Sequence, residues 1–167
     1  FLALGVGSNI YTNWTGNFTL DWYQDMLEYL YNLTLNATGT WSDPVAVEAA
    51  ARAQMCIEKA KEDIEKAKQY YEKNCTAKAD LYKAAAEAWI QAAEYWLAYA
   101  QAYEEAITIF GVHINLDYSS GSEVEALKMQ AERWEEKARQ LEWQAMLTTC
   151  SGTGSFFQSS YLRILLL

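Results

Sequence analysis

A seven-residue repeat of large aromatic side chains most strongly limits what the middle of this chain can fold into. The repeat consists of Tyr82, Trp89, Trp96, Tyr103 and Phe110. Residues seven apart share one face of an α-helix, so we predict an aromatic ridge along a helix at residues 77–109. The polar residues of this segment form one narrow stripe: Asp80, Lys83, Glu87, Gln91, Glu94, Gln101 and Glu105. A helix that is apolar on most other sides is enclosed by neighbours, so we expect it to be central.

A second helix is predicted upstream, from residue 44 to about residue 73. Asp43 is a good N-cap, and Pro44 suits the first helical position. The stretch KAKEDIEKAK within it indicates a charged, solvated outer face. Its apolar residues have the three-and-four spacing of a coiled-coil seam: Ala50, Ala53, Ile57, Ala60, Ile64, Ala67 and Tyr71.

A third helix is predicted from Ser122, where Glu125 completes a capping box, to about residue 148. Its seam is Val124, Leu127, Ala131, Trp134, Ala138, Leu141 and Ala145. Alanines on the outer helices leave room for large rings, so we expect the aromatic ridge to fill the core. The alternative is a ridge that binds a ligand between helices. The fold class is therefore mainly α, an antiparallel bundle of three long helices.

Extended segments are predicted to add a small β element to the bundle. Residues 112–118 alternate between apolar and polar side chains, as in a half-buried strand. Residues 1–19 and 154–167 also have extended character, whereas residues 20–31 favour a short helix over a strand. We divide one globular unit into an N-terminal segment at 1–41, a helical bundle at 42–149 and an apolar strand at 150–167.

Five of the seven asparagines begin an Asn-x-Thr motif, the acceptor sequence for N-glycosylation. Chance would place about one asparagine in seven or eight in this context. The excess predicts a secreted or surface-exposed chain that carries covalent glycans. The five acceptors are Asn13, Asn17, Asn32, Asn36 and Asn74.

The three cysteines allow one disulfide. If the third helix returns antiparallel to the second, Cys150 lies near Cys75, so we predict a Cys75–Cys150 bond and a free Cys56. The alternative is three reduced, buried cysteines. With no Cys-x-x-Cys motif and only one histidine, we expect no metal site and no cofactor.

The charge balance and the motif content exclude several classes of function. A net charge of −9 argues against a nucleic-acid partner, because phosphate binding needs a basic patch. No segment has the length and apolarity of a transmembrane helix. The sequence lacks Glu-x-x-His, G-x-S-x-G, Walker and dinucleotide motifs, and His113 has the character of a surface histidine. We therefore expect no catalysis.

The two ends of the chain are apolar. Phe1 rather than Met at the start is typical of a processed chain. Apolar extended ends favour strand addition between copies, so we expect a homo-oligomer or polymer. The residues proposed for assembly are Phe1, Leu2, Leu4, Val6, Leu162, Ile164, Leu165, Leu166 and Leu167.

The sequence thus favours a secreted or surface structural subunit of a filament, sheath or capsid. One alternative is a ligand-binding or receptor-like helical ectodomain, with a fusion subunit as a variant because of the apolar, glycine-containing start. The other is a computationally designed bundle, which the alanine-rich stretch at residues 84–106 suggests.

Overall fold

Four packed helices make up most of the computed structural model, which describes residues 20–113, 116 and 123–150. We number them α1, Leu20–Thr38; α2, Pro44–Glu72; α3, Thr76–Phe110; and α4, Glu123–Leu147. The three long helices predicted from the sequence are present, with ends that agree to within one or two residues. The helix expected at residues 20–31 is also present, but it continues to Thr38 and packs along α2.

Contacts between neighbouring helices define their directions. Along α1 and α2, the residue number falls in one helix as it rises in the other: Lys68 bonds Asp21, Gln24 bonds Glu65 and Lys61 bonds Glu28. The same relation links α2 to α3 and α3 to α4, so consecutive helices are antiparallel. It follows that α2 and α4 run parallel on either side of α3.

Large rings on α3 fill the space left by small residues on α2 and α4. Trp89 is 2% exposed and Tyr103 is 1% exposed. Alanines of both outer seams are fully buried, among them Ala53 and Ala60 on α2 and Ala138 on α4. A small residue lets a helix approach closely, so the rings pack against the methyl groups of the alanines. The structure therefore places α3 between α2 and α4, as its apolar circumference predicts.

Local signals set the helix ends. Asp43 caps α2 as predicted: its Oδ1 accepts from the backbone N–H groups of Val45 and Ala46, at 2.9 and 3.0 Å. Asn74, at φ +58°, adopts the left-handed conformation that reverses the chain between α2 and α3. Gly111, at φ +72°, ends α3 and donates its N–H to the Ile107 carbonyl at 2.7 Å.

The structure corrects two predictions. Phe110, the last residue of the predicted ridge, is 62% exposed, because α3 extends past the alanine seams at that point. Val112 is in a bend, His113 has no regular structure and Leu116 is in a 3₁₀ turn, and no strand occurs in residues 20–113, 116 and 123–150. The rest of the predicted β element, the N-cap Ser122 and all nine terminal assembly residues lie outside the described residues.

Enlarging a seam alanine should destabilise the bundle. Ala53→Leu adds three carbon atoms at a fully buried contact of α2, so we expect a loss of about 1–3 kcal/mol in unfolding free energy. The matched control is Ala51→Leu, two residues away on the exposed face of the same helix. Denaturant unfolding of both variants tests this, and equal stabilities would contradict the packing described here.

Candidate functional site

Two polar layers, one heptad apart, cross the otherwise apolar interior between α2, α3 and α4. Each layer takes one residue from each helix, and each contains a tryptophan that donates its indole N–H to a glutamate. Because α3 runs against the other two helices, its residue number falls where theirs rise. The Glu135 layer is formed by Cys56, Trp96 and Glu135, and the Glu142 layer by Asp63, Trp89 and Glu142.

In the Glu135 layer, an arginine compensates the buried carboxylate. The Glu135 side chain is 1% exposed, and both of its oxygens are bonded by Arg52, from Nε at 3.2 Å and from Nη2 at 3.0 Å. Trp96 Nε1 donates to Oε2 at 3.3 Å, and the guanidinium lies 5.3 Å from the Trp96 ring centroid. This bidentate geometry with added hydrogen bonds is what a buried ion pair needs to offset its desolvation.

Cys56 is the free cysteine of this layer. It is fully buried, and its Sγ lies 3.8 Å from Glu135 Oε1. Burial, followed by the Glu135 charge, raises the pKa of the Cys56 thiol far above its usual range. A thiol that does not ionise is a poor nucleophile, so in the closed bundle Cys56 behaves as a small core residue.

The Glu142 layer has no such cation between its carboxyl groups. Asp63 is 1% exposed and hydrogen-bonds to Glu142, which also accepts from Trp89 Nε1 at 2.7 Å. Burial, and then the hydrogen bond and charge of Glu142, raise the pKa of Asp63 from 3.8 to about 9. Two carboxyl groups in contact can bond to each other only if one of them is protonated.

The polar stripe of α3 is largely covered. Gln91 is 6% exposed and its Nε2 has no hydrogen-bond partner among the described residues, and the same holds for Glu94 Oε1 and Gln101 Oε1. Burial alone raises the pKa of Glu94 to about 8, and burial also raises the pKa of Glu87. Of the seven stripe residues, only Asp80 and Glu105, one at each end, are exposed.

Neither polar layer is predicted from the sequence. The charged stretch KAKEDIEKAK predicts a solvated Asp63, whereas this residue is buried beside the seam residue Ile64. The other carboxylates of KAKEDIEKAK, Glu62 and Glu65, are exposed as predicted. A signal was present: Cys56 and Asp63, like Glu135 and Glu142, are seven residues apart, the spacing of the tryptophans that bond them.

A histidine–carboxylate cluster lies at the end of the bundle where α3 ends and α2 begins. His113 Nδ1 lies 2.7 Å from Asp43 Oδ2. The Glu104 carboxylate accepts from the backbone N–H groups of Ser42 and Asp43, at 2.9–3.1 Å. These bonds fasten α3 to the α2 N-terminus. The predicted exposure of His113 is observed, since 56% of its side chain faces solvent.

Three of the five predicted glycosylation sites fall within the described residues, and all three lie at the surface. Asn32 and Asn36 are exposed on α1, and Asn74 is exposed in the turn between α2 and α3. Thr34, the third residue of the Asn32 motif, is fully buried and donates its hydroxyl to the Leu30 carbonyl at 2.8 Å. Asn13 and Asn17 lie outside the described residues.

Cys75 and Cys150 lie at disulfide distance, with sulfurs 2.16 Å and Cα atoms 4.8 Å apart. The geometric argument made from the sequence predicts this pairing. The pair joins the start of α3 to the chain just beyond the end of α4. The same end of the bundle holds the stacked rings of Tyr70 and Tyr82, with centroids 5.6 Å apart.

The described residues offer no arrangement for metal binding. They contain no group of three or more histidine, cysteine, aspartate or glutamate side chains placed to hold an ion. A groove of about 380 Å³ lies between α2, α3 and α4, with Trp96 and Tyr99 among its lining residues. Its charged residues balance, with Arg52 and Lys128 opposed by Glu48 and Glu132.

Comparison with known proteins finds no matching family model, no similar curated protein and no similar solved structure. Among the helices described here, none combines the length and apolarity needed to cross a bilayer. Function must therefore be argued from the geometry of the chain itself.

Removing the Arg52 charge, which pairs with Glu135, should lower the stability of the bundle. Arg52→Met leaves the Glu135 carboxylate buried without its partner, so we expect a loss of about 3 kcal/mol in unfolding free energy. The double variant Arg52→Met with Glu135→Gln should recover most of that loss. Arg139→Met is the control, since its pair with Glu136 is exposed on both sides and contributes under about 1 kcal/mol. Equal losses for both single variants would contradict the role given to Arg52.

Proposed function

We propose that this chain is a structural subunit of an extracellular or surface assembly, closed by a disulfide and glycosylated on its outer face. The observation that carries the proposal is the placement of Cys75 and Cys150 at disulfide distance. Structural disulfides persist in oxidising compartments and are rare elsewhere. The exposed motif asparagines Asn32, Asn36 and Asn74 fit the same compartment.

The position of the Asn32 motif bears on when a glycan would be added. Thr34 is buried in the folded bundle. An enzyme that recognises both Asn32 and Thr34 must therefore bind this segment before α1 packs against α2. Glycosylation during synthesis and export satisfies this condition. Asn74 differs, because its neighbour Cys75 is buried and paired, and a glycan and the disulfide compete for the same tight turn.

Exposed apolar side chains at the two ends of the bundle support self-assembly. At the end where α3 stops, Ile109, Phe110 and Val112 are 72, 62 and 56% exposed. At the opposite end, Trp143 and Met146 on α4 are 52 and 61% exposed. Two different apolar ends favour head-to-tail contact, which produces a filament unless the rotation closes a ring. The apolar terminal segments 1–6 and 162–167 would add to these contacts.

The groove beside Trp96 and Tyr99 favours a second candidate, a ligand-binding ectodomain. Its volume of about 380 Å³ falls within the usual range for small-molecule sites. The ridge residues on either side of Trp96, Trp89 and Tyr103, are packed into the core, so a ligand in the groove would contact only Trp96 of the ridge. A soluble monomer that binds a small zwitterion in this groove would favour this candidate over an assembly subunit.

The mass of the native protein tests the compartment. We expect the chain to exceed its bare 19.0 kDa by whole sugar units, and to gain two hydrogens when it is reduced. Reduction should also lower the unfolding free energy by about 4 kcal/mol, because the bond closes a long loop. A bare mass with three free thiols would overturn the proposal.

A substitution at the α3 end tests assembly. Phe110→Asp places a charge in the exposed apolar end, so we expect it to convert assembled protein to monomer in sedimentation and electron microscopy. The matched control is Tyr29→Asp, a residue 54% exposed in the middle of α1, which should still assemble. Native protein that remains monomeric at every concentration would rule out assembly altogether.

A further inference from the structure

The two polar layers balance their buried charge differently. In the Glu135 layer a guanidinium bonds both carboxylate oxygens. In the Glu142 layer the buried Asp63 carboxyl hydrogen-bonds to Glu142, and Asp63 Oδ2 has no partner among the described residues. Two ionised carboxylates within hydrogen-bonding reach would repel, and a proton is the smallest cation that joins them. Asp63 is on α2 and Glu142 is on α4, so that proton links two helices.

We propose that Asp63 and Glu142 share one proton, which latches α2 to α4, so that the bundle closes most firmly in acidic surroundings and α4 loosens as the pH rises. This inference does not depend on glycosylation or assembly. It concerns a pair of residues that the proposed function does not use.

The groups that face the latch come from three helices. On α2, Lys66 lowers the pKa of Asp63 and Glu62 raises it, both more weakly than burial and Glu142 do. On α3, Trp89 bonds Glu142, and the Asp63 and Glu142 charges act in turn on the Tyr82 hydroxyl. On α4, Arg139 lies 6.0 Å from the Trp89 ring centroid rather than between the carboxyl groups. Lys66 is exposed, so solvent screens its effect on the latch.

The direction of the pH effect follows from proton linkage. The closed bundle holds a proton on Asp63 up to about pH 9, whereas a solvated aspartate releases it near 3.8. Within that window the closed form binds one proton more than the open form. The latch therefore stabilises closure fully below about pH 4, and its contribution is lost as the pH rises towards about 9. Each pH unit in the window favours opening by about tenfold.

Cys56 is a built-in probe of this opening. It is fully buried on α2, one heptad from Asp63, and its Sγ contacts Glu135 on α4. A thiol reagent reaches it only when α4 separates from α2. The labelling rate of Cys56 therefore reports the open population when reclosing is fast compared with the chemical step.

The experiment compares Cys56 alkylation by iodoacetamide in the full chain and in Asp63→Asn, read by peptide mass spectrometry at several pH values from about 5 to about 9. Asparagine resembles the protonated aspartate but cannot lose the proton. Thiol ionisation raises both rates with pH, so the ratio of wild-type to variant rates isolates the latch. We expect this ratio to rise with pH, by up to about tenfold per unit.

Further variants keep the test decisive. Glu142→Gln removes the carboxyl partner but leaves Asp63 buried and able to titrate, so its pH dependence should lie between that of the wild type and that of Asp63→Asn. Glu58→Gln removes an exposed carboxylate from α2 and should follow the wild type. A wild-type to Asp63→Asn ratio that stays constant with pH would overturn the proposal. Magnesium or calcium that slows labelling near pH 9 in wild type but not in Asp63→Asn would also overturn it, because a metal ion rather than a proton would then join the pair.

Discussion

The packing of large rings on α3 against alanines on α2 and α4 is the constraint on which the other features of this bundle depend. Trp89 and Trp96 are too large to be enclosed unless both neighbouring helices present small residues opposite them. The alanine seams meet that need and bring the three backbones close together. Close approach, in turn, places polar side chains beside the seams inside the bundle, where each must find a partner.

The tryptophans therefore have two roles. Their rings are buried in the core, at 2% and 6% exposure, and their indole N–H groups must be bonded when water is excluded. Glu135 and Glu142 satisfy them at 3.3 and 2.7 Å. Burying Glu135 creates a further cost, which Arg52 offsets. In the other layer the buried carboxyl group is Asp63, which hydrogen-bonds to Glu142. The aromatic repeat and the polar layers thus form one connected system rather than a core with incidental charges.

Helices with strong periodicity and clear end signals could be predicted from the sequence, and those predictions are the accurate ones. Asp43 and Pro44 start α2 as expected, and the pairing of Cys75 with Cys150 follows from antiparallel geometry alone. The helix predicted at residues 20–31 is shorter than α1, which continues through Thr34 and Thr38. In the structure their hydroxyls bond carbonyls four residues earlier within the helix. Helix propensity alone does not account for these hydrogen bonds between side chain and backbone.

The inward position of Asp63 was missed for a different reason. In sequence it follows Glu62 and lies three residues before Lys66, within the charged stretch KAKEDIEKAK that indicates a solvated outer face. Its burial depends on Glu142, which is 79 residues away and on another helix. A contact between distant residues has no signature in a single window of sequence, although the matched heptad spacing on α2, α3 and α4 gives a partial one.

The parallel course of α2 and α4 has a consequence for the register of the bundle. A slip of seven residues changes the packing energy of a heptad seam little, because alanines would again face rings. The polar layers make such a slip unfavourable. Sliding α4 by one heptad in one direction would set Lys128 where Glu135 now meets Arg52, and two cations would face each other with no carboxylate between them. The alternation of a charged pair with a proton-sharing pair thus distinguishes neighbouring alignments that apolar packing alone would leave nearly equal in energy.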